Sequence, residues 1–209
     1  MAFEIWLAFV AASAVVLVIP GPTILTVISY SIAHGHRANI PLVAAVALGD
    51  STALVFSLLG LGTLLATSAV WFTVIKFIGG FYLLYLGVKL LRTGATAPAL
   101  VMAAPPASPW KLFANTYLVT ALNPKGMIFF VAFLPQFIDH TGKVTAQLWL
   151  LATTFVILAI VNATLYALFA GSARRLLSSP RAQKRFNIVG GSLLSAAGIW
   201  SLFAKRLSA

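Results

Sequence analysis

From Ile5 to Ala33 the chain contains no Lys, Arg, Asp or Glu, yet Pro20-Gly21-Pro22 stands in the middle of that run. An uncharged apolar stretch longer than about 20 residues reads as a helix that crosses a bilayer. The two prolines remove two backbone donors and the glycine admits strained dihedrals, so this helix must kink or break. Broken backbone at membrane depth survives only where it is buried in protein or lines a polar cavity. One reading of the tripeptide is a structural kink. The other is a discontinuous helix whose freed amides meet an anionic group. Two prolines within three residues favour the second.

Composition places the whole chain in the membrane. It is 61% hydrophobic and 8% charged, against about 45–50% and about 25% for a soluble domain. The net charge of +11 does not point to nucleic acid, because the Lys and Arg residues fall mainly in short gaps between apolar runs. The positive-inside rule accounts for that pattern without a nucleic-acid partner. The absence of cysteine excludes disulfide frameworks and thiolate metal sites. His34 and His36 have no Asp, Glu or Cys beside them, so no metal and no cofactor is expected. Gly60-Leu61-Gly62 lacks the strand and third glycine of a nucleotide fingerprint. Glu4, with no Lys or Arg before the apolar run, argues that the first segment is a retained helix and not a cleaved leader.

Six spanning helices are expected: Ile5 to Ala33, near Pro41 to about Ala66, Val70 to Leu91, Leu112 to Ile138, Ala146 to Phe169, and Asn187 to Phe203. Lys76 lies near the end of the third, where it can snorkel. The odd-numbered gaps and their flanks carry Arg37, Lys89, Arg92, Lys111, Arg174, Arg175, Arg181, Lys184 and Arg185. The opposite side has Lys76, Lys143, Lys205 and Arg206. The odd gaps should therefore be cytoplasmic and both termini periplasmic.

An Ala/Pro-rich stretch, 94–111, reads as a cytoplasmic linker. It divides one membrane domain into two three-helix units, 1–93 and 112–209. The units resemble each other. Gly79-Gly80-Phe81-Tyr82-Leu83-Leu84-Tyr85-Leu86-Gly87 and Gly190-Gly191-Ser192-Leu193-Leu194-Ser195-Ala196-Ala197-Gly198 share the pattern GG-x2-LL-x2-G. Pro22 corresponds to Pro124, and Asp50 falls near Asn162. A three-helix unit ends on the side opposite its start, so its duplicate must be inverted. The expected fold is all-α, an integral membrane protein of two inverted three-helix repeats, an arrangement found in secondary transporters.

Asp50 and Lys125 are the ionisable residues deep within these runs. Burying a charge at the bilayer centre costs about 2.5–3.5 kcal/mol or more, so each marks a candidate solute or proton pathway. Asp50 lies near the midplane of the second helix. It can bind a substrate ammonium, carry a coupling proton, or neutralise Lys125. Asn123-Pro124-Lys125 interrupts the fourth helix with a donor, an acceptor and a positive charge suited to a carboxylate. Asn162, Thr164 and Tyr166 form a polar patch that either lines a cavity or bonds between helices. The glycines of the third and sixth helices read as packing notches.

Together, Pro20-Gly21-Pro22, Gly49-Asp50 and Asn123-Pro124-Lys125 on six short helices resemble the LysE superfamily of amino-acid exporters, closest to its homoserine/threonine (RhtB) branch. The resemblance covers essentially the whole chain. It implies a bacterial inner-membrane exporter of amino acids or close derivatives, driven by protons, with Pro20, Gly21, Pro22, Asp50, Asn123, Pro124 and Lys125 as motif residues. The expected function is export of a small zwitterionic amino acid, with Asp50 coupling protons and Asn162 completing the site. The expected partners are substrate, protons and the bilayer, with a homo-oligomer left open. An exporter of another small solute or cation with this architecture is the alternative. A single buried acid argues against a divalent-ion site, and no catalytic constellation argues for an enzyme.

Overall fold

The computed structural model describes residues 1–67, 108–139, 142–173 and 179–203, with scattered helical positions between 74 and 92. Most of the expected third helix and of the linker, together with Arg174, Arg175, Lys205 and Arg206, lies outside the described residues. Among the described residues the elements are all helical: α1 (Phe3–Val18), α2 (Pro22–His34), a 3-10 turn (Gly35–Ala38) and α3 (Asn39–Thr67). There follow α4 (Pro109–Ala121), α5 (Pro124–Ala132), a second 3-10 turn (Leu134–Phe137), α6 (Val144–Leu168) and α7 (Pro180–Phe203).

Prolines set most of these starts. Pro22, Pro109 and Pro124 each open a helix, where a missing N–H costs nothing and the fixed φ already suits the first turn. Ser108 caps α4 by accepting from the Lys111 amide. Pro109 therefore belongs to the fourth helix and not to the linker, which shortens the 94–111 segment at its end. Pro180 likewise starts α7 seven residues before the expected Asn187. Arg181, Lys184 and Arg185 are then exposed helical residues and not loop. Hydropathy hid this turn because charges dilute it. Gly35, at φ +65°, ends α2 in the left-handed region, which glycine enters without penalty.

The run Pro22–Leu59 and the helix Val144–Leu168 are each long and apolar enough to cross a membrane. Pro109–Ala121 with Pro124–Phe137, bent by 43° at the break, makes a third span if counted as one. Phe3–Val18 is a shorter apolar helix. The expected first and fourth helices are thus each two pieces, interrupted where Pro20 and Pro22 in the first and Pro124 in the fourth remove helical donors.

Packing around these breaks is close. A β-carbon on Gly49 would stand 2.6 Å from Thr120 Cβ and 3.1 Å from the Ala121 amide, so α3 meets the end of α4 backbone to side chain. Gly87 and Gly191 act as the expected notches: a β-carbon on Gly191 would lie 2.8 Å from the Gly87 carbonyl oxygen. On the N-terminal side of the first break the core is aromatic. Phe9, Phe129, Phe130, Phe133, Phe137 and Phe155 are all buried, and the Phe130 and Phe155 rings meet edge to face at 4.7 Å. Aromatic pairs of this kind contribute about 0.5–1.5 kcal/mol beyond burial. Gln147 clips the loop below them, donating to the Asp139 carbonyl (2.7 Å) and accepting from the Asp139 amide (2.9 Å). On the other side of the breaks an apolar core that includes Val27, Leu42, Val46 and Leu112 is joined by two polar inter-helix contacts. Asn115 Nδ2 donates to the Tyr30 hydroxyl (3.4 Å), and the Thr52 and Tyr117 hydroxyls are 3.1 Å apart.

Gly49→Ala should force α3 and α4 apart at the second break. We expect a loss of about 1–3 kcal/mol, read as a lower unfolding temperature of the purified protein in detergent.

Candidate functional site

The site begins with a shortage of donors. In a continuous helix the Val16 carbonyl would accept from residue 20 and the Val18 carbonyl from residue 22. Both positions are proline. The backbone also turns extended at Ile19 (ψ 114°) and Gly21 (φ −109°, ψ −171°), which takes the Leu17 and Ile19 carbonyls out of helical register. Four acceptors in a row lose their helical partners in surroundings where water is scarce.

Three side chains replace those donors. Lys125 Nζ donates to the carbonyls of Val16 (2.7 Å) and Ile19 (2.6 Å). Asn162 Nδ2 donates to the Leu17 carbonyl (3.1 Å). The Tyr166 hydroxyl donates to the Val18 carbonyl (2.7 Å). Every carbonyl from Val16 to Ile19 therefore has a side-chain donor, supplied by α5 or α6. Thr164, the remaining member of the polar patch, bonds only within its own helix, to the Ile160 carbonyl.

The second break is built to face the first. Leu122 and Asn123 close the end of α4 through bonds to the carbonyls of Leu118 and Thr120. Asn123 then caps α5, its Oδ1 accepting from the Lys125 amide at 3.1 Å. Its Nδ2 donates across to Thr23 Oγ1 at 3.1 Å, joining the start of α5 to the start of α2. Lys125 also lies near the start of α2, because a β-carbon on Gly21 would be 3.6 Å from Nζ. The two helix starts differ in one respect. Asn123 caps α5, whereas Gly21 has no side chain with which to cap α2.

Asp50 is buried, at 7% exposure. Its Oδ1 would be 3.9 Å from a β-carbon on Gly126, which sets the carboxylate against the first turn of α5, the favourable end of a helix dipole for an anion. It acts electrostatically on Lys125, but no hydrogen bond or ion pair joins the two among the described residues. Lys125 spends its donors on α1 instead. The expected residues Pro20, Gly21, Pro22, Asp50, Asn123, Pro124, Lys125 and Asn162 thus converge on the paired breaks. Among the described residues no three His, Asp or Glu side chains gather as a metal site.

Two features escaped the sequence reading. One is Tyr166 as a cap of the broken helix; the rule that proline orphans the carbonyl four residues earlier could have located its acceptor, though not the donor. The other is the phenylalanine cluster, legible in part from Phe129, Phe130, Phe133 and Phe137 at helical spacing. Tyr166→Phe should cost about 1–2 kcal/mol of stability, measured by thermal unfolding in detergent. Thr164→Val, which loses only a bond within one helix, should be near neutral in the same assay.

Comparison with known proteins follows the same outline. The family model described as LysE type translocator matches residues 14–203. The homoserine/homoserine lactone efflux protein of Salmonella typhimurium is 32% identical over 95% of this chain and 96% of its own length. An uncharacterized membrane protein of Vibrio cholerae is 31% identical over 98% of this chain and 100% of its own. The leucine efflux protein of Salmonella choleraesuis is 30% identical over 97% of this chain and 93% of its own. No solved structure matches.

Proposed function

The chain belongs to the LysE type translocator family and is a translocator rather than an enzyme, and from that premise we propose that it exports a small amino acid or close derivative in exchange for protons. The observation that carries this reading is the uncapped start of α2, facing a half-buried lysine and a buried aspartate across two broken helices. A zwitterion needs an anion-binding group and a cation-binding group a few ångströms apart. The free amides of α2, with Lys125 beside them, suit a carboxylate. Asp50 suits the ammonium, and also serves as the proton-coupling residue, since proton and substrate ammonium compete for one carboxylate. Relatives named for homoserine, homoserine lactone and leucine efflux support a small, uncharged or hydroxylated side chain. The homoserine/threonine-like class is our first choice.

The architecture in this reading is six spans in two inverted repeats, 1–93 and 112–209, in the bacterial inner membrane. The matched breaks at Pro22 and Pro124 and the Gly87–Gly191 contact support it. The odd loops face the cytoplasm by their charge. The polar half of the bundle, with Tyr30, Asn115, Thr52 and Tyr117, then opens toward the cytoplasm, where an exporter loads. The aromatic half faces the periplasm.

The test is efflux from proteoliposomes loaded with a mixed amino-acid pool under an imposed pH gradient. Wild-type protein should release one or two amino acids selectively, and Asp50→Asn should lose the gradient-dependent part by more than about tenfold. Full proton-coupled efflux by Asp50→Asn would remove Asp50 from its role. Failure of folded wild-type protein to release any amino acid would remove the export reading.

A further inference from the structure

Half-helix C-termini and unwound carbonyls are the groups with which broken-helix transporters hold a coupling cation. Here the end of α1 presents such a cluster, and it is already filled. The occupant is the ammonium of Lys125, on Val16 and Ile19 at 2.7 and 2.6 Å. It is positively charged and of the size of a small monovalent ion, and it is tethered to the other repeat. The two neighbouring carbonyls, of Leu17 and Val18, are held by neutral donors, Asn162 and Tyr166. Lys125 therefore differs from its companions in one property: it holds its carbonyls with a positive charge, and loss of a proton removes that charge.

We propose that Lys125 is the resident coupling cation of this protein, a tethered ammonium that clamps the end of α1 to α5 and releases it when its proton leaves. The clamp crosses between the repeats, so its release frees the first break to move against the second. The titratable group acting on Lys125 is Asp50 from α3, while Tyr166 from α6 holds the neighbouring Val18 carbonyl. At this point α1 and α2 contribute backbone carbonyls and Gly21, with no titratable side chain in contact. Deprotonation passes the proton to water or to Asp50 and leaves a neutral amine. That amine has lost the charge that held two carbonyls, while Asn162 and Tyr166 still hold theirs. The loosened element is then the segment through Gly21, the same backbone that would receive a substrate carboxylate. Proton release and substrate entry are in this way opposite events at one place.

The inference rests on the export reading, but hydrogen exchange tests it without any substrate. The measurement is amide exchange of the segment spanning residues 15–26 in detergent, corrected for intrinsic pH dependence. In wild-type protein, protection should fall as pH rises. In Lys125→Met, which keeps the apolar stem, it should be lower by about tenfold or more and insensitive to pH. In Lys125→Arg, whose guanidinium stays charged at every working pH, it should remain high throughout. In proteoliposomes, Lys125→Met should lose net gradient-driven efflux.

Equal, pH-independent protection in the wild-type and Met proteins would overturn the proposal, as would gradient-driven efflux by the Met protein. Should Lys125→Met fail to fold, a fall in protection with pH in Lys125→Arg matching wild type would overturn it equally. Wild-type protein that shows the lysine-dependent, pH-dependent protection yet moves no amino acid would leave the clamp standing and remove the export reading alone.

Discussion

Four backbone carbonyls without helical donors organise this molecule. Pro20 and Pro22 delete two N–H groups, the intervening backbone turns extended, and the acceptors from Val16 to Ile19 are stranded in an apolar bundle. Leaving such groups bare in a membrane costs several kcal/mol each. The side chains that meet them come from the second half of the chain: Lys125 from α5, Asn162 and Tyr166 from α6. A local defect in the first thirty residues is thereby converted into a long-range constraint. The bond between Asn123 and Thr23 and the close seat of Gly49 on α4 hold the rest of the site to that frame.

The same frame explains why Asp50 and Lys125 do not simply neutralise each other. A lysine has three donors and a short reach from a fixed helix start, and the carbonyls at the end of α1 lie within hydrogen-bonding distance. Asp50 is left against the first turn of α5, where peptide dipoles favour a carboxylate. Two opposite charges are thereby kept apart, the lysine held by backbone carbonyls and the aspartate set against a helix start. A closed ion pair would have offered a substrate nothing without first being broken.

Much of this was legible in the residues. Proline placement predicted both interruptions, because a missing N–H is a local fact that no tertiary contact restores. Buried charge singled out Asp50 and Lys125 for the same kind of reason: its cost is large and independent of context. What sequence could not supply was direction. Nothing in Asn123-Pro124-Lys125 says that the ammonium turns toward Val16 and not toward Asp50, since that depends on how α5 lies across the end of α1. Helix starts were misjudged where charge dilutes hydropathy, as at Pro180, or where proline reads as linker, as at Pro109. Tyr166 was seen as a polar residue but not as a donor to Val18, because its acceptor is 148 positions away.

The aromatic cluster ahead of the first break gives the bundle two unlike ends. Six phenylalanine rings, packed edge to face or tilted against one another, offer no hydrogen bond, so an ion reaching them from the paired breaks would meet no polar partner. The polar contacts on the opposite side, Asn115 with Tyr30 and Thr52 with Tyr117, are single bonds that solvent can replace one at a time. One end thus offers an ion only apolar rings, and the other also offers groups that water can replace. The resistance to an ion would therefore lie at the aromatic end and not at the polar one.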